Sequence, residues 1–158
     1  MRKWHYLLLT FFLAAVEIAF LPLITVRVPA LVLLATVLSG LKVSSRFGFL
    51  TGIVGGLALD LFSGFAIPQM TICYGIIGLL AGLISVQMFD LGFVTYLLAT
   101  LVATVFTNLL ATFFSLAFNY LGWHFSLNLT ELGQSIAVNL VIGLLFYFLF
   151  LQVMPKED

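Results

Sequence analysis

Apolar residues run through this chain in long unbroken blocks, each closed by a short break rich in proline, glycine, serine or charge. One block reads "FGFLTGIVGGLALDLFSG" (Phe47–Gly64), with a single acid near its end. Such runs do not alternate polar with apolar, which argues against the strands of a membrane barrel. No water-soluble domain of 158 residues hides a composition that is 63% hydrophobic and 8% charged, so the expected solvent is lipid. In lipid, backbone that meets the hydrocarbon must be helical or closed into a barrel, and a helical crossing needs about 20 apolar residues. The expectation is an all-α, polytopic membrane protein built as a six-transmembrane-helix bundle in one domain.

The six predicted spans are residues 4–24, 28–41, 47–64, 68–88, 91–121 and 134–153. The second and third are short for a full crossing, and the fifth is long enough to tilt or to extend past the bilayer. The N-terminal "MRKWHYLLLTFFLAAVEIAF" has the look of a signal peptide, but its apolar core is too long, so it reads as a retained first span. With six spans, Arg2, Lys3, Lys42, Arg46 and Lys156 fall on one side and Arg27 on the other. The positive-inside rule then puts both termini in the cytoplasm. Net charge is zero, and no basic cluster suggests nucleic acid as a partner. Cys73 has no second cysteine to pair with.

Gly48, Gly52 and Gly56 have the small-xxx-small spacing that lets helix backbones approach closely; Gly78 and Gly82 repeat it, and Ala15 and Ala19 give a weaker version. The spacing serves either packing inside the bundle or docking of a partner helix. Two carboxylates fall within spans. A buried charge costs roughly 2.5–3.5 kcal/mol on insertion scales, so such residues face protein or a watery cavity. In the topology above, Asp60 is about 6 Å and Glu17 about 10 Å from the outer ends of their helices. Arg27 and Asn139 belong to the same outer half, so Glu17, Arg27, Asp60 and Asn139 form a candidate polar cluster. Arg27 either pairs with an acid or snorkels to headgroups, while Asp60 bonds free amides at a nearby helix start. Any cavity in the bundle is expected to open outward.

Nothing in the chain has catalytic or metal-ligating spacing: His5 and His124 are on opposite sides, and HExxH, GxSxG and Walker patterns are missing. The expectation is a protein that is not an enzyme and needs no cofactor.

"GFLTGIVGGLALDLFSG" resembles the central signature of the MreD family of bacterial rod-shape-determining membrane proteins, in which a glycine-spaced helix ends in Asp-Leu followed by a Ser-Gly turn. "PQMTICYGIIGLLAGLIS" (Pro68–Ser85) resembles the helix that follows, and "VRVPALVLLATVL" (Val26–Leu38) the Arg-x-Pro lead into the second. The chain departs from the pattern after Ser63-Gly64, where "FAIP" stands in place of the usual Leu-Gly. The resemblance implies a scaffold of the elongation machinery in the bacterial inner membrane, organising lateral peptidoglycan synthesis. It implies direct binding of MreC through its transmembrane helix, and contact through MreC with RodA, its penicillin-binding protein and MreB. It gives Pro29, Ser63 and Gly64 turn-shaping roles. It further implies a fold similar to the substrate-binding subunit of energy-coupling-factor transporters. A vitamin-binding transport subunit is therefore the alternative reading.

Overall fold

The computed structural model describes residues 3–20, 30–63, 68–87, 92–118 and 129–153. Among the described residues the chain is all-helical: α1 (Lys3–Phe20), α2 (Leu31–Lys42), α3 (Ser45–Ser63), α4 (Gln69–Gln87), α5 (Phe93–Phe118) and α6 (Leu129–Val153), with no strand. Two of these are long and apolar enough to cross a membrane, α3 over Ser45–Phe62 and α5 over Phe93–Phe114. The other four carry shorter apolar stretches.

The expected spans and the observed helices differ at informative places. The third segment, expected to be short, gains length because the helix starts at Ser45 rather than Phe47. Ser44 precedes it and accepts a hydrogen bond from the Phe47 amide at 3.3 Å, so polar residues outside the apolar run begin the helix. Likewise α6 begins at Leu129, upstream of the expected Gln134. Hydropathy marks where apolar surface starts, whereas the helix starts where backbone bonding does. The second segment is short: twelve residues at 1.5 Å each reach about 18 Å, against a hydrocarbon core of about 30 Å.

That short helix is the centre of the molecule. Its sequence, "LVLLATVLSGLK", is apolar apart from Thr36, Ser39 and the terminal Lys42, which suits a helix surrounded by protein. Every residue from Val32 to Leu41 is buried. α2 touches all five other helices, which follow one another around it in the order α1, α3, α4, α5, α6. Among the described residues α6 makes no contact with α1, so the ring is open there. The outward faces carry large apolar side chains, among them Phe11, Leu61, Leu98, Leu116 and Leu145.

The tightest contact joins α3 and α4, which run antiparallel. A Cβ added at Gly48 would collide with the Gly78 carbonyl, one at Gly52 with the Tyr74 carbonyl, and one at Gly82 with Ser45. At Gly56 it would stand 2.6 Å from the Met70 carbonyl oxygen and from the Thr71 backbone. The obstacles are backbone atoms, which cannot swing aside as a side chain can. In lipid, where water supplies no drive between helices, such close contact is what association rests on. α2 joins at one point: a Cβ on Gly40 would lie 2.7 Å from the Gly78 carbonyl oxygen, and one on Gly48 would lie 2.6 Å from the Gly40 Cα. Three helices meet where three glycines coincide.

Candidate functional site

A helix leaves its first amides without intrahelical acceptors. For α2 the problem is acute, because it starts inside the bundle and the residue preceding it, Ala30, has no side chain that can cap. The acceptors come from elsewhere in the chain. Glu17 of α1 accepts a hydrogen bond from the Val32 amide at 3.1 Å, and the Leu31 amide also faces this carboxylate. Asn139 of α6 accepts from the Ala30 amide through Oδ1 at 3.0 Å. Its Nδ2 donates to Thr104 Oγ1 at 3.2 Å, and that hydroxyl donates onward to the Thr100 carbonyl at 2.8 Å. Glu17 and Asn139 are both buried. They come from the two helices at the open edge of the ring and converge on the start of α2.

Asp60 performs the same task for α4. Its Oδ1 accepts from the Met70 amide at 3.0 Å. Its Oδ2 accepts from the Thr71 amide at 2.8 Å and from the Thr71 hydroxyl at 2.7 Å. An acid at a helix start is favoured by the peptide dipoles, and hydrogen bonds to a charged acceptor are stronger than neutral ones. The four residues grouped as one cluster in the sequence thus divide: Glu17 and Asn139 belong to α2, Asp60 belongs to α4, and Arg27 lies outside the described residues. Pro29 and Gly64 lie outside them too, as does the Ser63 side chain at the end of α3.

A second polar group, not singled out in the sequence, ties α2 to α3. Ser39 and Thr51 share a hydrogen bond of 2.5 Å. One of the two hydroxyls donates to the other, and the one that accepts donates its own proton to a carbonyl of its helix, that of Thr36 for Ser39 or of Gly48 for Thr51. At the far end of α2, Ser85 donates to the Leu41 carbonyl at 2.6 Å, and the Lys42 ammonium stands 5.9 Å above the Tyr147 ring.

Of the small-residue positions, Gly48, Gly52, Gly56, Gly78 and Gly82 all lie in the α3–α4 contact. Ala15 and Ala19 do not pack inside the bundle. Both are exposed, on the same outward face of α1 as Leu8, Phe11 and Phe12. The sequence reading missed Gly40, since its partners come from two other helices and no spacing along one helix reveals them.

A cavity of about 210 Å³ lies between α4 and α5, lined by residues including Ile77, Ile84, Leu98 and Phe106. It is almost wholly apolar and involves none of Glu17, Asp60 or Asn139. Among the described residues no group of three His, Cys, Asp or Glu is placed to hold a metal ion. Asp60 directs both oxygens, and Glu17 its Oε2, at backbone amides, an arrangement that holds helices together. No protein-family model matches the chain, and no curated protein matches it.

Proposed function

We propose that the chain is a non-catalytic membrane scaffold of the MreD kind. In this reading it crosses the bacterial inner membrane six times with both termini cytoplasmic. It binds the transmembrane helix of MreC and so takes part in organising lateral peptidoglycan synthesis. RodA, its penicillin-binding protein and MreB are reached indirectly. The observation that carries the reading is where the polar groups are used. Glu17, Asp60 and Asn139 seal the starts of α2 and α4, while large apolar side chains lie on the outward helix faces. A loop-poor protein of this design meets partners through helix-to-helix contact in the bilayer.

The test is recovery of partners from native membranes with the tagged full-length chain. MreC as a major partner is the expected result, and membranes containing MreC that yield none of it would refute the proposal. Outward placement of Ala15 and Ala19 on α1 favours a second reading, the vitamin-binding transport subunit, because small residues there resemble the surface such subunits offer their energising partner. A vitamin bound stoichiometrically to the purified chain would select that reading.

A further inference from the structure

The glycines of α4 lie toward α3: Gly78 meets Gly48, and Gly82 meets Ser45. Toward α5 the helix carries Ile77, Leu80 and Ile84 instead. Between these large side chains and those of α5 the facing residues are small, Ala81 on α4 with Ala99 and Ala103 on α5. Bulk at the edges and alanine between them shape the cavity of about 210 Å³ into a slot. Ala81 and Ala103 are buried at its floor, whereas Leu80, Leu98 and Val102 stand exposed along its rim. The slot therefore opens on the outward surface of the bundle.

Its shape narrows what can fill it. Ile84 lies within a turn of the end of α4 and Thr95 within a turn of the start of α5, so one end of the slot is at the edge of the bundle. From there it follows α5 as far as Phe106, about 16 Å at the helical rise. That is close to half of the roughly 30 Å hydrocarbon core, the depth of one leaflet. A helix with its side chains is about 10–12 Å across, and a single turn of it outgrows the slot. An apolar cavity stays dry, and one of about 150 Å³ takes a six-carbon ring, so this one holds roughly eight carbons. Ser85 of α4 bonds the Leu41 carbonyl, so the cations Lys42 and Arg46, at the end of α2 and the start of α3, lie at the same end of the bundle as the slot's entrance. A lipid phosphate at that level meets positive charge.

We propose that the slot between α4 and α5 is a binding site for one acyl chain of a phospholipid, which enters beside Ile84 and Thr95 and ends at Ile77 and Phe106. The inference rests on the proposed function only in placing the chain in a bilayer. Filled in this way, the alanine floor gains the contacts that a void forfeits, and lipid completes the packing of α5 against α4.

The test is photolabelling of the full chain in bilayer discs of phosphatidylethanolamine and phosphatidylglycerol, part of the latter carrying a diazirine in its acyl chain. Label at Ala81 and Ala103 should exceed label at Leu116, an exposed residue of α5 outside the slot. Ala99→Phe, which fills the slot, should cut the label at Ala81 by about tenfold, the equivalent of two buried methylene groups, and leave Leu116 unchanged. Label no stronger in the slot than at Leu116, or unaltered by Ala99→Phe, overturns the proposal. Should that variant fail to fold, a density map of the parent chain in the same discs decides. A rod of density one chain wide between α4 and α5 is expected, and an empty slot, a helix or a compact non-lipid ligand there refutes the site. A chain recovered from the cytosol without detergent would overturn the membrane placement and the site together. A membrane-embedded chain with an unlabelled slot overturns the site alone.

Discussion

At the scale of single residues, this molecule uses its rare acids as mortar. Asp60 accepts three hydrogen bonds from the start of α4, all in a place that water does not reach freely. Asp60→Leu strands three donors. At about 1–3 kcal/mol for each buried unsatisfied group, the loss approaches the whole stability of a typical domain. Asp60→Asn keeps the shape and one good acceptor, so it should cost less, about 1–3 kcal/mol. Thermal unfolding of both variants in one detergent measures the gap, and equal losses would show that bonding is not the acid's role. Glu17→Gln and Glu17→Leu should be ordered the same way, with Leu the worse. The sequence left Asp60 two roles, pairing with Arg27 or bonding amides at a nearby helix start, and the structure shows the second. That Glu17 and Asn139 serve one helix start was not legible, since Asn139 lies 109 residues from Ala30 and no local pattern spans that distance.

At the scale of elements, the glycines of α3 and α4 are not equivalent, and the structure ranks them. Gly52 faces the Tyr74 backbone directly, whereas a Cβ on Gly75 would meet only side chains, Ile53 Cγ1 at 3.3 Å and Phe49 Cε2 at 3.4 Å. Gly52→Ala should therefore push two backbones apart and cost more than about 2 kcal/mol, while Gly75→Ala should stay within about 1 kcal/mol of the parent, helped by helix propensity. Unfolding midpoints of the pair test this. Gly40→Ala belongs with Gly52→Ala, although its sequence context gives no hint. The four-residue spacing of Gly48, Gly52 and Gly56 made the α3 face readable as a close-approach surface. Which helix approached it, and that α2 would enter the same junction, depends on three-dimensional neighbours that spacing does not encode. Helix existence was readable because apolar runs are long; helix starts at Ser45 and Leu129 were not, because polar residues there are helical without being apolar.

For the molecule as a whole, the outward faces and the central helix have different tasks. Ala15 and Ala19 lie on the surface of α1, so replacing either with Trp should leave the unfolding midpoint within about 1 kcal/mol of the parent in stability terms. If that face receives MreC, recovery of MreC should fall at the same time; unaltered recovery would move the docking surface elsewhere. If the proposed six-span topology holds, a cysteine at position 27 and one at position 45 should react with impermeant reagents from opposite sides of the membrane, and labelling from the same side would refute it. The capping of α2 also bears on how the chain is made. Its opening amides find acceptors on Glu17, synthesised before it, and on Asn139, which leaves the ribosome only with the last helix. Until then the second helix has a partly unanswered end. The start of the central helix is therefore completed last, once the C-terminal helix has arrived.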